Sequence, residues 1–195
     1  MHHIYQTDAF VLKTTDFGEA NKLVKLLTKD FGLITTTAQG LRYEKSKLRF
    51  AIQDYSRANV SLVRGKNDIW RLTNAQSEKN LFSDLAEEKF KTVARVFRLL
   101  ERLLSGEETD EELFQIIENG IEFFESEEIE KEKILDFESV FVLRILNHLG
   151  YIGNNKNINF YISDNKWGSE VIDQIQSERK NTLKIINEAI RQSQL

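Results

Sequence analysis

Four cationic side chains fall within eight consecutive residues, at Arg42, Lys45, Lys47 and Arg49. Lys and Arg are the side chains that contact phosphate oxygens, so a dense basic segment indicates a polyanionic partner. These four are the first-choice phosphate contacts. A second-choice set lies further along the same half of the chain, with members at outward strand positions and in loops: Arg57, Arg64, Lys66 and Arg71.

The charge of the chain is unevenly distributed. Residues 1–80 hold 13 Lys and Arg against 8 Asp and Glu, whereas residues 81–195 hold 14 against 23, within an overall net charge of −4. The first part therefore carries +5 and the second −9. This asymmetry favours a polyanion site in the first part only. The alternative is that two solvated surfaces merely differ in charge.

Three aromatic residues lie near the cations in sequence: Tyr43, Tyr55 and Trp70. Aromatic rings beside cations can stack on the bases of a single nucleic-acid strand. The alternative is that Trp70 belongs to the core and that the cations only solvate a small domain.

Other chemistries find little support in the sequence. The three His (His2, His3 and His148) do not have metal-binding spacing, and there is no Cys. The acidic runs 107–112 and 125–132 fall in loops and helix starts, where solvated faces are a better interpretation than a catalytic carboxylate pair. The glycine motifs of nucleotide enzymes do not occur. We therefore predict no catalytic residue, no metal ligand and no cofactor.

The residues that position the cations read as β-strands. Residues 5–14, 33–38, 56–64 and 69–75 are rich in β-branched residues or alternate between apolar and polar. Residues 20–29 are ambiguous, because their Leu residues have helical spacing. About five short strands in this length predict a sheet that closes on itself, and a five-stranded barrel of the OB type is the natural candidate.

From residue 81 onward the apolar period becomes helical. A stripe runs from Ala86 to Leu104 with spacings of four and three. Thr109 and Glu112 have the spacing of a capping box. Residues 134–149 are apolar nearly all round, which is typical of the central helix of a bundle. We expect at least four helices, with one short β-like piece at residues 160–162.

The predicted fold class is therefore α+β with two domains. Residues 1–78 form the OB-fold barrel, which carries the binding function, and residues 79–195 form a helical bundle that docks proteins. No apolar run is long enough for a membrane helix and no signal peptide is evident, so we expect a cytoplasmic protein.

Two stretches of the chain carry a recognisable pattern. The first comprises Asp16-Phe17-Gly18-Glu19, Lys22, Leu26-Leu27-Thr28, Gly32, Gly40-Leu41-Arg42 and Ser46-Lys47-Leu48. The second runs from Phe141 to Tyr151 and ends in Leu-Gly-Tyr. Together they resemble the bacterial DNA recombination and repair mediator family RecO, in which similar stretches stand in the same order and at a similar separation. The second stretch is similar to the central helix of that family.

The resemblance implies an OB-fold followed by a helical domain, without catalytic activity. It implies binding of single- and double-stranded DNA, annealing of complementary strands, and help in loading recombinase onto coated single strands. The implied partners are a RecR-like ring protein and the acidic tail of the single-stranded-DNA-binding protein, at the nucleoid. It also favours a strand for the ambiguous run at residues 23–28.

The chain departs from the family pattern in one respect. Many members carry a four-Cys zinc module after Leu-Gly-Tyr, and this chain has no Cys. We therefore predict a form that lacks the zinc module. The alternative function is a non-enzymatic protein–protein adaptor whose barrel is only structural, and a nuclease is a third possibility.

Overall fold

The structure is a computed structural model that describes residues 3–65, 68–153, 158–162 and 166–193. The chain divides into two compact units. The barrel unit consists of residues 1–86 and 104–111, and the helical unit consists of residues 87–103 and 112–195. The predicted division after residue 78 falls inside the last strand of the barrel unit.

Five strands build the barrel unit, and they close into a barrel in the order β1-β2-β3-β5-β4. Neighbouring strands are antiparallel except β3 and β5, which are parallel. The predicted OB-type architecture is confirmed, and the ambiguous run is strand β2. The strands are β1 (Ile4–Phe17), β2 (Asn21–Thr28), β3 (Gly32–Ala38), β4 (Ser56–Arg64) and β5 (Trp70–Asn80).

Alternation along the strands creates the barrel core. On β4 every second residue is buried inside the barrel, namely Ala58, Val60 and Leu62. Strand β1 is apolar on both faces: Ala9 and Val11 belong to the barrel core, and the intervening Phe10 is buried on the other face. Because side chains of a strand point alternately to its two faces, a continuous apolar run fits a strand covered on both sides.

Chain direction sorts the connections into two groups at opposite ends of the strands. We call the place where the β1–β2 turn (18–20) meets the long loop 39–55 the loop end. The opposite end of the strands is called the turn end. It comprises the β2–β3 turn (29–31), residues 65, 68 and 69 between β4 and β5, and segment 104–111.

Helix α4 is the centre of the helical unit, as its all-round apolar sequence predicts. Its Phe137, Val140 and Phe141 are completely buried, and it packs against α2, α5 and α6. The short helix α1 belongs to the barrel unit. The helices are α1 (Leu81–Asp84), α2 (Glu87–Leu103), α3 (Glu111–Ser126), α4 (Ile134–His148), α5 (Asn159–Ile162) and α6 (Ser169–Gln192).

The β-like piece expected at residues 160–162 is wrong, because these residues belong to α5. Buried Arg144 of α4 contacts the backbone of this segment. Its Nε donates to the Tyr161 carbonyl oxygen at 2.9 Å, and its Nη2 donates to the Lys166 carbonyl oxygen at 2.8 Å. This distant guanidinium holds the end of a helix, which local propensity does not reveal.

None of the described helices combines the length and apolar character that crossing a membrane requires.

Candidate nucleic-acid interface

The loop 39–55, named the basic loop for its four cations, is held to the barrel at several points. Leu41, Ala51 and Ile52 are buried in the barrel core. The backbone N–H of Arg42 donates to the Ala20 carbonyl oxygen at 3.0 Å. The loop therefore has a fixed course across the loop end, and its remaining side chains are presented to solvent from a defined backbone.

The four first-choice cations are all exposed on this loop, and three of them differ from Arg42 in their surroundings. Lys47 and Arg49 lie in a single turn of 3-10 helix (Lys47–Arg49), and Lys45 comes just before it. Among the described residues, none pairs with their charged groups. Cations without a carboxylate partner retain their full charge for a phosphate backbone.

Arg42 has a different role from these three. Its Nη1 donates to the Gly18 carbonyl oxygen at 2.9 Å, and its Nη2 lies 3.4 Å from Oδ2 of Asp16. Asp16 also lies 3.4 Å from Nζ of Lys22. Arg42 therefore ties the β1–β2 turn to the loop, and its charge is shared with a carboxylate.

Aromatic rings are exposed at the same end of the barrel. Phe50 is 72% exposed, Tyr43 64% and Phe17 51%. Exposed aromatic rings at the end of the barrel that carries the cations offer surfaces on which bases can stack. Phe50 and Phe17 were not among the aromatic residues predicted from the sequence, although the position of Phe50 directly after Arg49 is the signal that could have identified it.

The other two aromatic predictions have different outcomes. Trp70 is only 2% exposed and belongs to the barrel core, so the alternative interpretation of this residue is confirmed. Tyr55 is half-buried and has a φ of 68°. Its backbone N–H donates to the Val11 carbonyl oxygen at 2.7 Å, which helps to close the loop onto β1.

Three of the second-choice cations lie on strands, with Arg57 and Arg64 at the two ends of β4 and Arg71 on β5. Arg57 is half-buried, with its Nε 2.9 Å from Oε2 of Glu78 and its guanidinium 5.9 Å from the centre of the Phe10 ring. It is positioned by this ion pair and by the aromatic ring.

Arg64 lies at the turn end and is surrounded by acidic groups. Its Nη2 donates to Oε2 of Glu107 at 2.9 Å, and its Nε lies 3.3 Å from Oδ1 of Asp68. The guanidinium is also 5.0 Å from the centre of the Trp70 ring. Two carboxylates therefore neutralise this cation.

Arg71 is exposed on β5, and its guanidinium lies close to the backbone of Gly65. Lys66 lies outside the described residues. The structure thus brings Arg42, Lys45, Lys47 and Arg49 together on one loop. It places Arg57 and Arg64 seven residues apart on β4, or roughly 23 Å along a strand.

Segment 104–111 carries acidic side chains to the turn end. Besides the pair of Glu107 with Arg64, Oε1 of Glu111 lies 3.5 Å from Nζ of Lys29. The sequence predicted solvated faces for this acidic run, whereas these two members pair with barrel cations. Since both pairs are partly exposed, each stabilises the fold only slightly.

The backbone of this segment also contacts the barrel closely. The hydroxyl of Thr109 donates to the Asp30 carbonyl oxygen at 3.0 Å, and α3 begins two residues later, at Glu111. The capping role predicted for Thr109 is therefore replaced by a contact with the β2–β3 turn. Gly32 has a φ of +63°, and a Cβ there would collide with the Glu108 carbonyl oxygen. Segment 104–111 thus fits against a position that only glycine allows.

The helical unit contains an apolar groove of ≈ 390 Å³ between α2, α4 and α6. Leu135 and Leu183 are exposed beside it. Two arginines at the groove are each bound by a carboxylate: Arg95 Nε donates to Glu138 at 2.7 Å, and Arg179 Nε donates to buried Asp136 at 2.7 Å. These hydrogen bonds raise the pKa of both guanidinium groups.

Within the described ranges, no group of three or more His, Asp or Glu side chains could hold a metal ion.

Comparison with known proteins relates the chain to one family. The model of the N-terminal domain of recombination protein O matches residues 1–81. The DNA repair protein RecO of Thermoanaerobacter sp. (strain X514) is 29% identical over 153 residues, which cover 76% of this chain and 59% of that protein.

A second relative gives the same result. The DNA repair protein RecO of Myxococcus xanthus (strain DK1622) is 30% identical over 149 residues, covering 75% of this chain and 59% of that protein. The chain thus spans about three fifths of the length of these curated relatives. The matches include the barrel with its basic loop and extend into the helical unit. The chain belongs to the RecO family.

Proposed function

We propose that this protein binds DNA in repair and recombination, as a mediator that anneals complementary single strands and helps to load recombinase onto coated single-stranded DNA. Two observations support the proposal: the relatives are described as DNA repair proteins, and the loop end combines exposed cations with exposed aromatic rings. The second observation carries it. Cations with neighbouring stacking platforms are what a groove for a single strand requires.

The mechanism is electrostatic. Lys45, Lys47 and Arg49 contact phosphates and release condensed counterions, so the affinity falls as salt rises. Three phosphate contacts on a single strand correspond to a slope of about −2 in a plot of log affinity against log salt. Neutralising two strands at once lowers their mutual repulsion and allows complementary bases to pair. The proposed role includes no catalytic step.

The test is a fluorescence-anisotropy titration of a labelled 15-nucleotide single strand at low and moderate salt. The triple variant Lys45→Glu, Lys47→Glu, Arg49→Glu should lose at least about a hundredfold in affinity, since each reversal adds repulsion as well as removing a contact. The control reverses the exposed cations Lys180, Lys184 and Arg191 of α6, with an identical change in net charge.

The result also separates this function from the adaptor alternative. If the wild-type protein does not bind the strand at low salt, or if the loop and control variants bind equally, the DNA proposal fails and a structural barrel is the better interpretation. Annealing is measured in parallel, as the rate at which two complementary labelled strands pair in the presence of each variant.

We propose in addition that the helical unit docks protein partners, namely a RecR-like ring protein and the acidic tail of the single-stranded-DNA-binding protein. The apolar groove supports the second of these, because its apolar surface, which includes Leu183, can receive the apolar side chains of a bound peptide. A labelled peptide of that tail should bind the wild-type protein and lose at least about tenfold in affinity with Leu183→Glu. Ile69→Glu, which places the same charge at an exposed apolar position of the barrel unit, should leave it unchanged.

A further inference from the structure

A second, polar groove of ≈ 440 Å³ lies beside the basic loop at the loop end. Its apolar lining consists of Leu41 and Ile52, which are buried in the barrel core. Gln53 and Asp54 contribute polar side chains, and Arg49 also lines it. This volume falls within the range of small-molecule sites. Most of the lining is polar or charged, so the groove suits a molecule with hydrogen-bonding edges.

Hydrogen bonds fix the polar side chains of this groove. The backbone N–H of Thr14 donates to Oδ1 of Asp54 at 2.7 Å, and Nδ2 of Asn80 donates to Oε1 of Gln53 at 2.9 Å. One oxygen atom of each side chain is therefore held in place. Oδ2 of Asp54 and Nε2 of Gln53 can bind a ligand. Among the described residues, no donor reaches Oδ2 of Asp54.

The other carboxylate of the groove is already occupied. Oδ1 of Asp16 lies 3.4 Å from Nζ of Lys22 and Oδ2 lies 3.4 Å from Nη2 of Arg42, so each oxygen already faces a cation. Asp54 is thus the acceptor that the groove can offer to a bound molecule, and Arg49 is the cation without a partner among the described residues.

We propose that this groove takes one unpaired nucleobase of the DNA strand, with Asp54 accepting a hydrogen bond from an amino group of the base and Arg49 contacting the adjoining phosphate. The proposal rests on the DNA binding proposed above and adds base selection to it. A base in a duplex is stacked and paired and cannot enter, so the groove is specific for a single strand. Carboxylates accept from the amino group of cytosine, whereas thymine has no amino group.

The experiment compares 15-nucleotide oligo(dC) and oligo(dT), which carry the same number of phosphates, by anisotropy at pH 8. The wild-type protein should bind oligo(dC) about three- to tenfold more tightly, the range expected for one hydrogen bond to a charged group that is partly exposed. Asp54→Asn should bring this ratio close to one. Asp68→Asn is the control, because it makes the same charge change at the turn end.

A variant that fills the groove makes the test independent of any misfolding of Asp54→Asn. Thr14→Trp introduces a large side chain from β1 at the groove and should also abolish the preference. Equal binding of the two strands by the wild-type protein, or a preference that survives in both groove variants, overturns the proposal while leaving phosphate binding intact. Failure of the wild-type protein to bind either strand overturns the DNA-binding function itself, and the base site with it.

Discussion

The two ends of the barrel carry similar side chains in different states. At the turn end, Arg64 and Lys29 are paired with carboxylates of segment 104–111. At the loop end, Lys45, Lys47 and Arg49 have no such partner among the described residues. The pairing of the cations, and not their presence alone, therefore distinguishes the neutralised Arg64 and Lys29 from three loop cations that can attract a polyanion.

The aromatic residues show the same contrast. At the turn end, Tyr5, Phe31 and Trp70 pack on one another with ring centroids 5.2–5.5 Å apart. At the loop end, Tyr43 and Phe50 face solvent. The first group stabilises the barrel through mutual contact, and the second is available for stacking on a ligand.

Glycine substitutions should give the largest difference between the ends. Gly32→Ala at the turn end should lower the free energy of unfolding by about 3 kcal/mol, because a positive φ costs about 1 kcal/mol and the clash with segment 104–111 adds to it. Gly18 at the loop end has a φ of +65°, and a Cβ added there would meet no atom within 4 Å. Gly18→Ala should therefore lower the free energy of unfolding by only about 1 kcal/mol. Urea unfolding followed by circular dichroism measures both. Equal losses of unfolding free energy in the two variants would mean that a Cβ at residue 32 does not clash with segment 104–111.

Removing exposed rings should have an intermediate effect, on binding instead of stability. Phe50→Ala and Tyr43→Ala should each weaken single-strand binding by about five- to thirtyfold, or about 1–2 kcal/mol, as expected for the loss of one stacked base. Ile69→Ala removes a 50% exposed apolar side chain at the turn end and serves as the control. If all three variants bind like the wild-type protein, the exposed rings are not stacking platforms.

The smallest effect is expected when the turn end is made to resemble the loop end. Glu107→Gln with Glu111→Gln leaves Arg64 and Lys29 with less neutralising charge, so binding of a single strand should strengthen about two- to threefold, with a steeper salt dependence. Stability should change by less than about 1 kcal/mol, because the pairs are partly exposed.

The control for this pair of substitutions is Glu108→Gln, an exposed carboxylate in the same segment that forms no ion pair with a described residue. Its effect on affinity gives the contribution of net charge alone. Identical shifts per charge in both variants would show that release of the two cations has no specific influence.

Local patterns in the sequence predicted most of the fold. Alternation on β4 and the helical stripe of α2 depend on residues close in the chain, so they could be identified without long-range information. The assignment of β2 is the exception, because its Leu spacing suits a helix and its pairing with β1 and β3 decides the outcome.

The features that could not be predicted depend on distant contacts. Thr109 has the spacing of a helix cap, yet its partner is a carbonyl 79 residues away. Arg64 is a typical candidate for a phosphate contact until Glu107 is placed beside it. Phe50 has a large apolar side chain, which is typical of a core position. Only the course of the loop reveals that it is exposed.

The membership of segment 104–111 in the barrel unit has a consequence for dissecting the molecule. The chain passes between the two units three times, after residues 86, 103 and 111. A fragment that ends at residue 86 would contain every strand but would lack the partners of Gly32, Lys29 and Arg64. A deletion that shortens what looks like an acidic linker between two helices would damage the barrel, so truncation boundaries must follow spatial neighbours and not sequence order.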